Sequence, residues 1–145
     1  MQSLNALFGR VGLSLIFIIS GYGKIAAYAG TEQYMAAAGV PGALLPLVIA
    51  LELGGGLAIL AGAFTRPTAI ALALFSIVSA ILFHFNLGDQ NQFIHLLKNV
   101  AIAGGFLTLA ANGAGSISVD ALWHKSARAR HATARTGAPG SASAA

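Results

Sequence analysis

The chain has 145 residues, 57% of them hydrophobic and only 8% charged, with a formal net charge of +4 and a mean hydropathy of +0.77. That balance excludes the ordinary soluble classes and a nucleic-acid partner, and it fits a small single-domain protein held in a lipid bilayer. With no cysteine, the chain has no thiol-disulfide chemistry of its own and no thiolates for an iron-sulfur cluster.

A hydrocarbon core of about 30 Å needs roughly 20 helical residues. The chain supplies that length four times, and the expected fold class is all-α: a membrane-embedded four-helix bundle. The first apolar stretch covers residues 4–26. Followed by Ala27-Tyr28-Ala29, it has the outline of a signal peptide, but the first nine residues carry no Lys or Arg, while Arg10 and Lys24 interrupt the apolar run. A retained span is expected. Arg10, Ser14, Phe17, Gly21, Lys24 and Tyr28 recur at spacings of three and four and so share one helix face.

The turn Gly39-Val40-Pro41-Gly42 leads to the second stretch, residues 43–63. Glu52, Gly55, Gly56, Ile59 and Ala63 line a single face there, and the glycines suit close helix packing. Thr65-Arg66-Pro67 opens the third stretch, residues 67–87, which carries His84 on the same face as Ser76 and Ala80. After Asn86-Leu87-Gly88-Asp89 comes the fourth, residues 93–112, with the pair Lys98-Asn99 inside it. Its polar stripe of Lys98, Ala101, Gly105, Thr108 and Asn112 is expected to turn inward, leaving Ile102, Phe106 and Leu109 for another side.

Residues 1–124 thus form the four-helix domain, and residues 125–145 a basic Ala/Ser-rich tail expected to be disordered. Lys125, Arg128, Arg130 and Arg135 in that tail, with Arg66 in the second loop, place both termini in the cytoplasm by the positive-inside rule. The same cations suit contact with anionic lipid.

Ionisable side chains at membrane depth cost several kcal/mol unless paired or hydrated, which makes them functional candidates. With a rise of about 1.5 Å per residue, Glu52 lies about 14 Å in from the outside, Lys98 about 8 Å in from the outside, and Arg10 about 9 Å in from the cytoplasmic side. A buried triad of Arg10, Glu52 and Lys98 is the expected centre. Lys24 stands above it, Asn99 beside it, and His84 and His95 near the outer mouth. Two cations facing one carboxylate leave positive charge for an anion or a reduced quinone. His84 and His95 supply too few ligands for a metal, so no metal is expected.

The set Arg10, Ser20-Gly21-Tyr22-Gly23-Lys24, Glu52-Leu53-Gly54-Gly55-Gly56, Gly62-Ala63-Phe64-Thr65-Arg66, His84 and Lys98-Asn99-Val100-Ala101-Ile102-Ala103-Gly104-Gly105, in this order, resembles the DoxX family of small bacterial integral membrane proteins. The resemblance runs from about Leu7 to Ala111. It implies a multi-pass protein of the inner (plasma) membrane and a link to respiratory or redox complexes. Related DoxD-type proteins form part of a thiosulfate:quinone oxidoreductase. The leading expectation is an accessory, quinone-linked subunit with a site for a quinone head group or small anion, beside a membrane or peripheral redox protein. Whether the chain is itself an enzyme stays open. A structural or assembly protein whose charges only fix helix packing, and a small transporter, are the alternatives. The Gly-rich faces also allow a homo-oligomer.

Overall fold

Four helices long and apolar enough to cross a membrane run Ser3–Ala26, Gly42–Ala61, Thr65–His84 and Gln90–Asn112 in the computed structural model, which describes residues 2–136. They are called spans 1 to 4. No strand occurs among the described residues.

Local chemistry explains where the helices stop. Span 2 ends at Gly62, whose φ of 69° is a left-handed cap that favours glycine. A Cβ at Gly62 would also collide with the Arg10 guanidinium. Span 3 starts two residues earlier than the sequence indicates, because the Asp120 carboxylate accepts hydrogen bonds from the N–H groups of Phe64 (2.9 Å) and Thr65 (3.0 Å) at its N-terminus. Span 4 starts three residues early for a similar reason: Asp89 Oδ1 accepts from Asn91 N and Gln92 N.

The spans pack through small residues. Gly21 of span 1 lies so close to span 2 that an added Cβ would stand 2.9 Å from Leu53 N. Gly56 meets Ile18 and Phe17 in the same way, and Gly55 meets Leu72. In lipid there is no hydrophobic drive between helices, so this close approach and its dispersion contacts hold the bundle. Phe17 sits at the centre, with its ring 5.4 Å from Phe106 and 6.3 Å from Phe75, both edge-to-face.

Spans 3 and 4 pack along their length, as do spans 1 and 2, and span 1 also touches span 4. Span 2 packs on span 3 through its Gly55–Ala61 part. Nearer Gly42 the two diverge. Between those regions span 2 widens into a π-helical turn over Ala50–Gly54, which contains Glu52. Such turns often mark functional positions.

Two expectations are corrected, and a segment to which the sequence assigns no element proves helical. The inward stripe of span 4 is reversed: Ala103, Phe106 and Leu109 are buried, whereas Lys98, Ala101, Thr108 and Asn112 are exposed. The polar groups tolerate this because they are satisfied within their own helix, Thr108 Oγ1 donating to Gly104 O and Asn112 Nδ2 to Thr108 O.

Secondly, the segment between span 1 and the turn at Gly39 is helical. A connecting helix, Tyr28–Ala37, follows directly, and the bonds Ala27 N to Gly23 O and Thr31 N to Ala27 O carry helical hydrogen bonding across the junction.

Thirdly, residues 125–136 are helical, within a tail helix Val119–Thr136; the rest of the expected disordered tail lies outside the described residues. Ser118 Oγ accepts from Ala121 N at its start, and the Ala, Arg and Lys that follow are strong helix formers. Trp123 of this helix packs edge-to-face on Phe64 at 5.0 Å.

Candidate functional site

The expected triad does not assemble. Arg10 is 1% exposed and works at the end of the bundle where span 1 begins and span 4 ends. Its Nη1 donates to Leu60 O at 3.3 Å, and Nη2 donates to Ile117 O. It joins the last carbonyls of span 2 to the loop after span 4, where a fork of fixed donors suits two diverging acceptors. Ser116 Oγ, bonded to Ser3 Oγ at 2.7 Å, closes the same corner.

Beside it, Asp120 is held below the usual carboxylate range. Burial alone would raise it, but the N–H groups of Thr65 and Phe64 and the charge of His124 outweigh that cost.

Glu52 pairs instead with Lys24. Lys24 Nζ lies 2.8 Å from Oε2 and donates to Oε1 at 3.1 Å, and the two side chains are 23% and 6% exposed. Ser20 completes the cluster, its Oγ accepting from Lys24 at 2.7 Å and donating to Glu52 Oε1 at 3.4 Å. Oε2 makes the shorter contact with the ammonium and is shut off from the cavity, with almost no accessible surface of its own.

This pair forms the polar floor of a cavity of about 530 Å³. The cavity occupies the gap where spans 2 and 3 diverge. Exposed Leu44 and Leu47 on one side, with Val78 and Leu82 on the other, line its side and give it a lateral opening toward lipid. Phe17, Leu51 and Phe75 supply apolar wall, and Tyr34 of the connecting helix stacks on Phe83 at 5.2 Å to close the end. A mostly apolar cleft with a few convergent polar groups is the usual form of a small-molecule site.

His84, Lys98 and Asn99 reach the same cavity at its rim. His84 Nδ1 bonds Gln92 Oε1 at 2.8 Å, and its ring lies 5.0 Å from that of His95. Lys98 Nζ donates to His95 Nδ1 at 3.0 Å, and Asn99 Nδ2 donates to His95 O. Among the described residues no three metal-ligating side chains come together.

Of the six sequence candidates, five meet at one cavity and Arg10 does not. Sequence reasoning placed Ser20 only within a motif and missed Tyr34. Ser20 lies one turn before Lys24, a spacing that puts both on one face. Tyr34 carried no signal, since nothing in the sequence marked its segment as a packed helix.

The DoxX family profile matches residues 5–85, more than half of the chain. This chain belongs to the DoxX family. It is 49% identical over 125 residues to the inner membrane protein YqjF of Escherichia coli (strain K12), covering 86% of this chain and 96% of that protein. It is 40% identical over 121 residues to YphA, another inner membrane protein of the same strain, covering 79% and 86% respectively. No solved structure matches. With four spans and these relatives, this DoxX-family chain is a multi-pass protein of the bacterial inner membrane.

Proposed function

We propose that the protein is an accessory subunit of a quinone-linked redox system in the inner membrane, and that its lateral cavity holds a quinone-type head group. The observation that carries this reading is the buried Lys24 and Glu52 pair on the floor of an apolar cavity lined by exposed residues of the diverging spans 2 and 3. A lipid-soluble ring enters such a site from the side, its tail stays among the acyl chains, and its oxygens meet the polar floor. The Tyr34 and Phe83 stack offers a flat wall, and Lys98 adds a cation at the rim. The role is to bind and present the head group, with electron transfer belonging to a partner.

The test is affinity purification of the tagged protein from its native membrane in mild detergent, with quinones and proteins identified by mass spectrometry. Co-purified quinone or a redox enzyme, lost in Glu52→Gln, supports the proposal. Bulk lipid alone contradicts it.

A structural reading has one observation in its favour: the same ion pair links spans 1 and 2, beside the close approach of Gly21 to Leu53. It predicts that replacing both charges together leaves every cellular phenotype intact.

A further inference from the structure

A second cavity, of about 470 Å³, opens at the end of the bundle where span 1 begins and span 4 ends. Three parts of the chain build it: Arg66 in the first turn of span 3, residues 113–116 after span 4, and His124 of the tail helix. The protein leaves its donors unused. Arg66 is exposed and has no ion-pair partner among the described residues. Its guanidinium lies along Gly113, where an added Cβ would stand 3.8 Å from Nε. The N–H groups of Ala114, Gly115 and Ser116 donate to no backbone acceptor among the described residues, although Ala114 is buried. Asp120 also lines the cavity, but its two carboxylate oxygens are taken up by the N–H groups of Phe64 and Thr65. A planar fork beside unsatisfied amides suits the paired oxygens of a phosphate.

The surroundings say where such a phosphate comes from. Arg10, Arg66, Lys125, Arg128 and Arg130 lie at this end, with Asp120 the one acidic side chain there among the described residues, while Glu32, Glu52 and Asp89 lie toward the other end. That asymmetry marks a cytoplasmic end, where the leaflet is anionic. Trp123 packs on Phe64 of the cavity wall, both rings partly exposed, and a tryptophan ring suits headgroup level.

We propose that this cavity is a site for the phosphate headgroup of an anionic phospholipid of the cytoplasmic leaflet, held by Arg66. The headgroup bridges span 3, the loop after span 4 and the tail helix, and so fastens the tail helix to the bundle. Lys125 and Arg128, outside the cavity, add only diffuse attraction. The site stands independently of the quinone-type reading of the lateral cavity.

The experiment titrates the full chain in neutral detergent with short-chain phosphatidylglycerol, short-chain phosphatidylcholine and inorganic phosphate, read by the fluorescence of Trp123, the chain's one tryptophan. The expected result is saturable binding of phosphatidylglycerol, about tenfold or more tighter than phosphatidylcholine, whose choline cation the same charges repel. Arg66→Gln should weaken it about tenfold, and Lys125→Gln with Arg128→Gln should weaken it less. Equal binding of the two lipids, or no saturable response, overturns the proposal. A loss that follows the tail pair rather than Arg66 overturns it in favour of diffuse attraction. Inorganic phosphate binding as tightly as phosphatidylglycerol assigns the site to a free anion and overturns the lipid.

Discussion

Lys24 and Glu52, 28 residues apart in the chain, meet across spans 1 and 2 with Nζ 2.8 Å from Oε2. The contact depends on small residues on either side of it. Gly21 against Leu53 and Gly56 against Ile18 bring the two helices close enough for a lysine on one to reach a carboxylate on the other.

The two charges are worth more together than apart. Lys24→Met alone leaves a carboxylate buried without its counterion and is expected to cost about 3 kcal/mol. Lys24→Met with Glu52→Gln removes both charges and is expected to recover more than half of that loss. Unfolding of the purified variants in detergent measures the difference. A double variant no more stable than the worse single one contradicts the pairing.

Arg10 is expected to be irreplaceable by lysine, because one ammonium does not reach both Leu60 O and Ile117 O. Arg10→Lys should cost about 1 to 3 kcal/mol. Gly62→Ala should cost at least as much, since it combines a left-handed φ with a collision against the same guanidinium. Neither variant should alter ligand binding at the lateral cavity, which lies toward the other end of the bundle. Thermal stability and ligand binding measured side by side separate these effects.

Asp120 ties the tail helix to the start of span 3, and its carboxyl is held below the ordinary range. A depressed carboxyl stabilises the fold above its unfolded value, about 3.9, and that contribution is lost as pH falls through the lower folded value. Trp123, the chain's one tryptophan, packs on Phe64 and reports the attachment. Its fluorescence should hold steady at neutral pH and change below about pH 4. In Asp120→Asn the tail should already be loosened at neutral pH and the acid transition should be absent. An unchanged acid transition in that variant contradicts the role.

Gly21→Ala places a methyl 2.9 Å from a backbone nitrogen that has no room to retreat. The spans must separate, which should cost about 1 to 3 kcal/mol and weaken the ion pair together with the packing. Gly23→Ala, on the same helix with open space around it, is the control and should be neutral or slightly stabilising. Melting temperatures of the two variants provide the check.

Much of this was legible in the sequence because lipid enforces simple rules. Span positions follow from length and hydropathy, and the stripe from Arg10 through Ser14 and Phe17 to Gly21 is buried as its spacing implies, although at its far end Lys24 is half-buried and Tyr28 exposed. Glu52 is buried as well. The partner of Glu52 is not legible, because depth along each span says nothing of which helices touch. Lys24 stands at the outer end of its apolar stretch, yet helical bonding continues through Ala27 into Tyr28–Ala37, and close packing on span 2 brings Lys24 to Glu52. The face of span 4 is not legible from its polar spacing, because Thr108 and Asn112 return their hydrogen bonds to their own backbone, which removes the need for an inward polar side. Arg10 was recognised as buried, but its acceptors are carbonyls, which leave no signature in a sequence.

The most direct test of the central claim is photoaffinity labelling with an azido-quinone in native membranes, with the modified residues mapped by mass spectrometry. The account predicts saturable labelling of Leu47, Leu51, Val78 or Leu82, competed by excess unlabelled quinone and lost in Glu52→Gln. Labelling spread over outward residues such as Ile19, Leu107 and Val100, without competition, would contradict it.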